Sequence, residues 1–174
     1  MAGKNKAAFF DRDGVINDDT GPYYVFRPDD FVLCPGVVEG LKKVHDRGYL
    51  IIIISNQGGI ARGQFTTADT DAVHRKFTDI MAANGVPISE IYYCPHHPEA
   101  GNCLCRKPQP LMIEKALARF DIDPAKSFML GDRDNDVLTA ENAGVRGFKM
   151  DKNSNLLTAV DNCLKAMGVF DTQT

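Results

Sequence analysis

The chain has 174 residues, close to the usual size of one folded domain, and its 44% hydrophobic and 25% charged residues exclude intrinsic disorder. Its formal net charge is −3 and it has no basic run, which argues against a nucleic-acid-binding surface. The longest apolar run, residues 49–54, is too short to cross a bilayer, so we expect no membrane partner.

The beginning of the chain, MAGKNKAAFF, lacks an apolar stretch of signal-peptide length, so we predict a cytoplasmic protein. Three of the five cysteines crowd into residues 94–105, which in a reducing compartment is more typical of a metal site than of disulfides. The sequence shows no obvious exposed apolar stripe, and this favours a monomer.

Short β-rich runs alternate with helical patterns, and this alternation predicts an α/β fold with a parallel sheet. In the first half, the run KAAFF predicts a strand that ends at DRDG, and the all-apolar residues 49–54 predict a strand buried on both faces. The predicted elements of this half are strand 6–10, helix 36–47 with Pro35 at its start, strand 49–54, helix 66–84 with Thr66 or Thr67 as its cap, and strand 91–93.

In the second half, residues 94–110 form an irregular segment with four prolines and three cysteines. The predicted elements that follow are helix 111–120, strand 127–130, helix 134–142, strand 147–150 and helix 154–167. The irregular segment 17–30 follows the first strand, so we expect it to lie over the carboxyl edge of the sheet, where ligands bind in open α/β sheets. We predict one domain over residues 1–174, with 17–30 and 94–110 as active-site loops.

Polar residues follow three of the predicted strands. The first strand ends in Asp11 and Asp13, the second in Ser55 and Asn56, and the fourth in Asp132. In a parallel sheet these ends share one edge, where the acids would repel each other unless a hard cation such as Mg²⁺ lies between them. A carboxylate nucleophile beside such a cation suits phosphoryl transfer. Taken alone, DRDG and GDRDND are each also compatible with an ordinary turn.

These motifs, in this order, resemble those of the haloacid dehalogenase (HAD) superfamily of phosphatases over essentially the whole chain. Residues 11–15 (DRDGV) match the DxDx[TV] motif, and residues 131–136 (GDRDND) match the acidic metal motif. Ser55 matches the hydroxyl at the end of the second strand, and Lys107 in CRKP matches the motif lysine. The resemblance implies a Rossmann-like three-layer sandwich, and it makes Asp136 a partner of either the metal or Lys107.

The resemblance also implies a role for each matching residue. Asp11 would attack phosphorus, and Asp13 would act first as general acid and then as base for the hydrolytic water. Magnesium would be held by Asp11, Asp132 and the backbone carbonyl of Asp13. Ser55 and Lys107 would bind the transferring phosphoryl group.

Within the superfamily, DRDGVIN, SNQGGIARGQF, YYCPHHPE and CRKP together resemble the heptose 1,7-bisphosphate 7-phosphatase group, which lacks a large cap domain. The resemblance implies a sugar bisphosphate substrate whose dephosphorylated product feeds nucleotide-activated heptose synthesis. The residues that it places at the substrate are Asp19, Thr20, Ser55, Asn56, Gln57, Gly58, Arg106 and Arg133.

Two alternative functions remain open for this sequence. A histidinol-phosphate phosphatase is the alternative within the same class, and the segment GGIARGQF opposes it. A zinc-stabilised binding module without catalysis is the alternative from another class. The intact motif residues oppose that alternative, because a degenerate enzyme usually loses one of them.

Cys94, His96, Cys103 and Cys105 form the pattern C-x-H-x6-C-x-C. Three thiolates and one imidazole fit a closed tetrahedral zinc site. Free thiols are the alternative, and His97 is an alternate ligand, whereas a Cys103–Cys105 disulfide would close a strained ring. The resemblance also favours zinc in this loop. Because all four ligands come from protein, we predict a structural zinc that places Arg106 and Lys107.

The remaining cysteines and histidines are assigned no role in the chemistry. Cys34 and Cys163 are expected to be ordinary buried thiols. His45 and His74 fall within helical patterns, and we predict a surface position for both.

Overall fold

The computed structural model describes residues 4–170, which build a five-stranded parallel sheet in the order β3-β2-β1-β4-β5. The strands are β1 Lys6–Phe10, β2 Tyr49–Asn56, β3 Glu90–Cys94, β4 Phe128–Gly131 and β5 Arg146–Lys149. The helices are α1 Val37–Asp46, α2 Thr67–Ala83, α3 Leu111–Arg119, α4 Asp134–Asn142 and α5 Leu156–Ala166. Within residues 4–170, no helix has both the length and the apolar composition needed to cross a bilayer.

Two hydrophobic clusters lie on opposite faces of the sheet. Alternation along β2 sends Ile51 and Ile53 to one cluster, and Ile52 and Ile54 to the other. Helices α1, α2 and α5 contribute buried side chains to the first cluster, and α3 and α4 contribute to the second. The predicted three-layer α/β sandwich with its parallel sheet is confirmed, and residues 4–170 contain no large cap domain.

The observed helix and strand boundaries agree with the predicted ones to within two residues. The differences have local causes. Strand β2 runs on through Ser55 and Asn56, because both residues stay in register with β3. Helix α5 begins two residues later than predicted, since the side chain of Asn155 caps it by accepting the N–H of Thr158. Thr66 caps α2 through a reciprocal capping box with Asp69, in line with the predicted start.

The loop after β1 turns sharply at the carboxyl edge of the sheet. The carbonyl of Arg12 accepts the N–H groups of Ile16 and Asn17 at 2.8 and 3.0 Å, and Gly14 takes a positive φ of 85°. The segment that follows contains one short 3-10 turn, Pro28–Asp30, and is otherwise irregular as predicted. This tight turn keeps the side chains of residues 11–13 at the end of β1.

Candidate active site

The carboxylates of Asp11 and Asp136 both contact the buried ammonium group of Lys107. Lys107 Nζ lies 2.6 Å from Asp11 Oδ1 and 2.6 Å from Asp136 Oδ1, and it donates to the carbonyl of Ile54 at 3.0 Å. The Lys107 side chain is only 4% exposed. The two carboxylates raise the pKa of Lys107 above its usual value despite its burial, so the group carries a fixed positive charge.

Asp132 completes a group of three acids around this point. Carboxylate oxygens of Asp11, Asp132 and Asp136 lie within 4.8 Å of one another, and Asp132 Oδ1 is buried without a hydrogen-bond partner. Burial, together with the charge of Asp136, raises the pKa of Asp132. Burial also raises the pKa of Asp11 to about 7, although Lys107 opposes this. An unpaired buried carboxylate oxygen beside other acids fits a hard divalent cation.

The carboxylate of Asp13 is held by hydrogen bonds on both of its oxygens. Arg12 Nη2 and Asn17 Nδ2 donate to Oδ1 at 2.8 and 3.1 Å, and Gln57 Nε2 donates to Oδ2 at 2.9 Å. Burial alone would raise the pKa of Asp13, but the Arg12 guanidinium and these hydrogen bonds outweigh it and lower the pKa. The side chain is therefore ionised and fixed in orientation.

His74 is buried, so the predicted surface position is wrong. It lies on α2 with 8% exposure, its Nε2 is 3.4 Å from Arg12 Nη1, and its ring packs edge-on against Tyr93. Burial, reinforced by the Arg12 charge, lowers the pKa of His74 to about 3. A neutral His74 can accept a hydrogen bond from Arg12 and so supports the guanidinium that holds Asp13.

Two residues at the end of β2 connect the loops. Ser55 is fully buried, and its hydroxyl accepts a hydrogen bond from Gln57 Nε2 at 2.7 Å. Asn56 Oδ1 accepts the backbone N–H of Lys107 at 3.0 Å, and its Nδ2 donates to the Lys107 carbonyl at 3.3 Å. Asn56 therefore fixes the backbone that presents Lys107.

A cavity of about 410 Å³ opens above these residues. Six of the eight residues predicted at the substrate line it, and the fully buried Ser55 does not; the six are Asp19, Asn56, Gln57, Gly58, Arg106 and Arg133. Thr20 lies apart from them: it is exposed, and its hydroxyl donates to Asp18 at 2.6 Å.

The cavity is also lined by Tyr23, Tyr24 and Lys152, to which the sequence analysis gives no role. The two tyrosines belong to the loop expected at this edge. Lys152 follows β5, and extending the strand-end rule to that last strand would have found it.

The four predicted zinc ligands converge in the loop after β3. The closest contacts are 3.2 Å between the sulfurs of Cys94 and Cys105 and 3.3 Å between His96 Nδ1 and the Cys105 sulfur, and all four ligand atoms lie within 4.8 Å of one another. The edge of a tetrahedron with Zn–S bonds of about 2.3 Å is about 3.8 Å. Burial raises the pKa of Cys103, but backbone N–H groups of Arg106 and Cys105 outweigh it and lower the pKa to about 7. The group therefore fits a tetrahedral metal.

All five cysteines are free thiols, and Cys34 and Cys163 are buried outside this cluster, as predicted. His97 lies outside the four-ligand group, and its Nδ1 accepts the N–H of Glu99 at 3.3 Å. Arg106 follows the cluster directly and donates from Nη1 to the carbonyl of His96 at 3.0 Å. The cluster thus fixes the segment that leads into Lys107.

A family model described as HAD-hydrolase-like matches residues 104–160. A D-glycero-beta-D-manno-heptose-1,7-bisphosphate 7-phosphatase of Haemophilus ducreyi is 41% identical over 164 residues, covering 88% of this chain and 87% of that protein. A D-glycero-alpha-D-manno-heptose-1,7-bisphosphate 7-phosphatase of Photorhabdus laumondii is 40% identical, covering 82% of this chain and 80% of that protein.

Solved structures show the same relationship. The D,D-heptose 1,7-bisphosphate phosphatase of B. bronchiseptica, crystallised with magnesium and phosphate, superposes with a TM-score of 0.81 at 29% identity. The match covers 92% of this chain and 99% of that one. On the evidence of these relatives and of the site geometry, the chain belongs to the D-glycero-D-manno-heptose-1,7-bisphosphate 7-phosphatase family of HAD-like hydrolases.

Proposed function

We propose that the chain is a magnesium-dependent phosphatase that removes the C7 phosphate of D-glycero-D-manno-heptose 1,7-bisphosphate. The observation that carries this proposal is the cluster of Asp11, Asp132 and Asp136, in which Lys107 contacts the first and the last and Asp132 keeps a buried unpaired oxygen. We take the substrate from the relatives, which are named as heptose-1,7-bisphosphate 7-phosphatases. The product, heptose 1-phosphate, would feed nucleotide-activated heptose synthesis.

In the first step, Asp11 attacks phosphorus as the P–O bond to the sugar breaks, which gives an aspartyl-phosphate. When the dianionic phosphoryl group arrives beside Asp13, it raises the pKa of this carboxylate, which takes up a proton from solvent and then gives that proton to the leaving oxygen. Lys107 and the Ser55 hydroxyl bind the transferring oxygens. Magnesium, held by Asp11, Asp132 and the carbonyl of Asp13, would neutralise charge on the phosphoryl group.

In the second step, water attacks the aspartyl-phosphate, and Asp13, now ionised, takes the proton of that water. The bond between Asp11 and phosphorus breaks, so inorganic phosphate leaves and the carboxylate is restored. The hydrogen bonds from Arg12, Asn17 and Gln57 keep Asp13 in one orientation for both steps.

The zinc site is the second part of the proposal. Cys94, His96, Cys103 and Cys105 would hold Zn²⁺ with no open position, so the metal would be structural. Its role would be to fix the loop that carries Arg106 and Lys107. Arg106 and Arg133 would then contact the second phosphate or the sugar, because one guanidinium group can bind two phosphate oxygens, and Asp19 would contact the sugar.

Phosphate release from both anomers of heptose 1,7-bisphosphate, compared with histidinol phosphate and p-nitrophenyl phosphate, tests the substrate. We expect kcat/KM for one heptose anomer to exceed that for histidinol phosphate about a hundredfold or more. Activity should require Mg²⁺, and Asp11→Asn should abolish it without loss of fold. A preference for histidinol phosphate, or an active Asp11→Asn variant, would contradict the proposal. Absence of turnover with every substrate would support the non-catalytic zinc module instead.

We further propose a cytoplasmic monomer. The exposed large apolar residues come from separate segments of the chain, namely Tyr23, Val32, Leu104, Leu138 and Phe170. Free thiols at all five cysteines suit a reducing compartment. Light scattering of the eluted protein should give the mass of one chain, and a dimer mass would refute the monomer. Cell fractionation tests the location, and recovery in a membrane pellet would refute it.

A further inference from the structure

We infer that Lys152 determines substrate specificity by binding the phosphate that is not removed. This inference rests on the proposed sugar bisphosphate substrate, because only such a substrate leaves a second phosphate in the cavity. Lys152 lies outside all the motifs that carry the family resemblance, in the turn after β5.

The side chain of Lys152 packs on the loop after β1 and reaches the cavity. Its stem packs on Gly14, where an added Cβ would lie 2.9 Å from Lys152 Cγ and 3.1 Å from Asp132 Oδ2. Its ammonium group lies 2.8 Å from Asp19 Oδ2 and its side chain is 47% exposed, so the group is both anchored and open to the cavity that it lines.

The turn that carries Lys152 is fixed to the loop after β1. The N–H of Asn153 donates to the carbonyl of Gly14 at 2.8 Å, and Asn153 Nδ2 donates to Asp19 Oδ1 at 3.1 Å. Both oxygens of Asp19 are therefore engaged, one by Asn153 and one by Lys152. Because the ammonium is already held at the cavity wall, a bound anion would not have to order a free lysine side chain.

The charges of the site allow Lys152 to share the binding of the second phosphate with Arg106 and Arg133, which line the same cavity. Lys107 is enclosed by Asp11 and Asp136, so it serves the phosphoryl group that reacts. Asp19 alone would repel a second phosphate from this part of the cavity, and Lys152 neutralises it while offering its remaining N–H groups. Since β4 and β5 lie on the other side of β1 from β3, Lys152 approaches the cavity from the side away from the Arg106 loop.

The experiment compares Lys152→Met with Lys149→Met on two substrates, heptose 1,7-bisphosphate and p-nitrophenyl phosphate. Lys149 is the matched control, because it is a neighbouring lysine that pairs with the exposed Asp134 and does not line the cavity. We expect Lys152→Met to lower kcat/KM for the bisphosphate about tenfold or more, mostly through KM, and to leave p-nitrophenyl phosphate within about twofold. Lys152→Arg should recover most of the loss, and Lys149→Met should behave like wild type.

If Lys152→Met lowers kcat/KM equally on both substrates, the residue only supports the fold. If kcat/KM falls on neither substrate, Lys152 does not bind the second phosphate. Each of these results would refute the inference about Lys152. The proposed function would still hold, because it is tested by wild-type turnover of the bisphosphate. A wild-type enzyme that does not prefer the bisphosphate to p-nitrophenyl phosphate would refute the proposed function, and this inference with it.

Discussion

The ammonium nitrogen of Lys107 lies 2.6 Å from a carboxylate oxygen of Asp11, although 96 positions separate the two residues. Strand β2 lies between β1, which Asp11 follows directly, and β3, whose following loop carries Lys107. The loop must therefore reach over the end of β2, where Asn56 hydrogen-bonds both the N–H and the carbonyl of Lys107. The contact between Lys107 and Asp11 therefore depends on the positions of the ends of three adjacent strands.

Lys107→Met should inactivate the enzyme and destabilise it. We expect kcat to fall about 10²–10³-fold, because a fixed positive charge at the transferring oxygens is lost. The free energy of unfolding in EDTA should fall by about 3–5 kcal/mol, since Asp11 and Asp136 would remain buried without their cation. Urea unfolding and steady-state kinetics measure the two effects, and Mg²⁺ should restore part of the stability by neutralising the same acids.

Lys126→Met is the control for this variant, because its ammonium pairs with Asp123 at the surface and is 63% exposed. Such exposed pairs contribute about 0–1 kcal/mol, so stability and kcat should stay near wild type. A Lys107→Met enzyme with wild-type stability in EDTA would show that the buried acids do not depend on this ammonium.

Much of the fold and of this site follows from the sequence by one rule, that parallel strands end at one edge. The rule brings Asp11, Asp132 and Ser55 together without any knowledge of side-chain contacts. Helix α4 begins and ends at the predicted residues, because Asp134 and Asp136 lie in its first turn and Gly144 follows its last turn. Local signals therefore suffice where strand ends and helix caps decide the structure.

Local sequence patterns give a wrong position for a side chain whose hydrogen-bond partner lies in a distant segment, as for His74. In α2, Thr70, Val73, Phe77 and Met81 form a buried stripe, and His74 falls within it. The helical spacing could have placed His74 inside, but only Arg12, 62 positions away, makes a buried imidazole acceptable. Thr20 contacts Asp18 in its own loop, as turn side chains often do, and its predicted role at the sugar stays a prediction.

Gly131→Ala should displace Asp136 and reduce activity. A Cβ at Gly131 would lie 2.2 Å from Asp136 Cβ and 2.4 Å from its Cγ, so the side chain that contacts Lys107 has to move. We expect a loss of about 1–3 kcal/mol in the free energy of unfolding, typical of overpacking, and a clear fall in kcat. Urea unfolding and phosphate release measure these changes.

Gly21→Ala serves as the control, since an added Cβ there has no atom within 4 Å and Gly21 also lines the cavity. This variant should keep both stability and kcat. Normal activity in Gly131→Ala would mean that Asp136 does not have to hold its observed position.

Cys103→Ser should lose zinc and heat stability before the chemistry itself changes. The ligand set would fall to two thiolates and one imidazole, and metal binding in such loops is coupled to their folding. We expect Tm to fall by roughly 5–10 °C, as measured by calorimetry beside metal analysis of the purified protein. Cys163→Ser, which alters a buried thiol in α5 outside the cluster, should keep its zinc. A wild-type protein purified without zinc, despite zinc in the growth medium, would refute the structural-zinc assignment.

The free energy of unfolding should fall less in His74→Gln than in wild type when the pH is lowered. Burial and Arg12 hold the pKa of His74 at about 3 in the folded chain, against an ordinary value of 6.5. Below pH 6.5 the unfolded chain therefore binds a proton that the folded chain does not, and this lowers the stability of the wild type as pH falls toward 3. Above pH 6.5 both states are neutral at this residue and the contribution vanishes. Between pH 7.5 and 5.5 we expect wild type to lose about 1.4 kcal/mol more than His74→Gln in urea unfolding. Equal losses would show that His74 takes up its proton in the folded protein and that Arg12 does not need a neutral imidazole beside it.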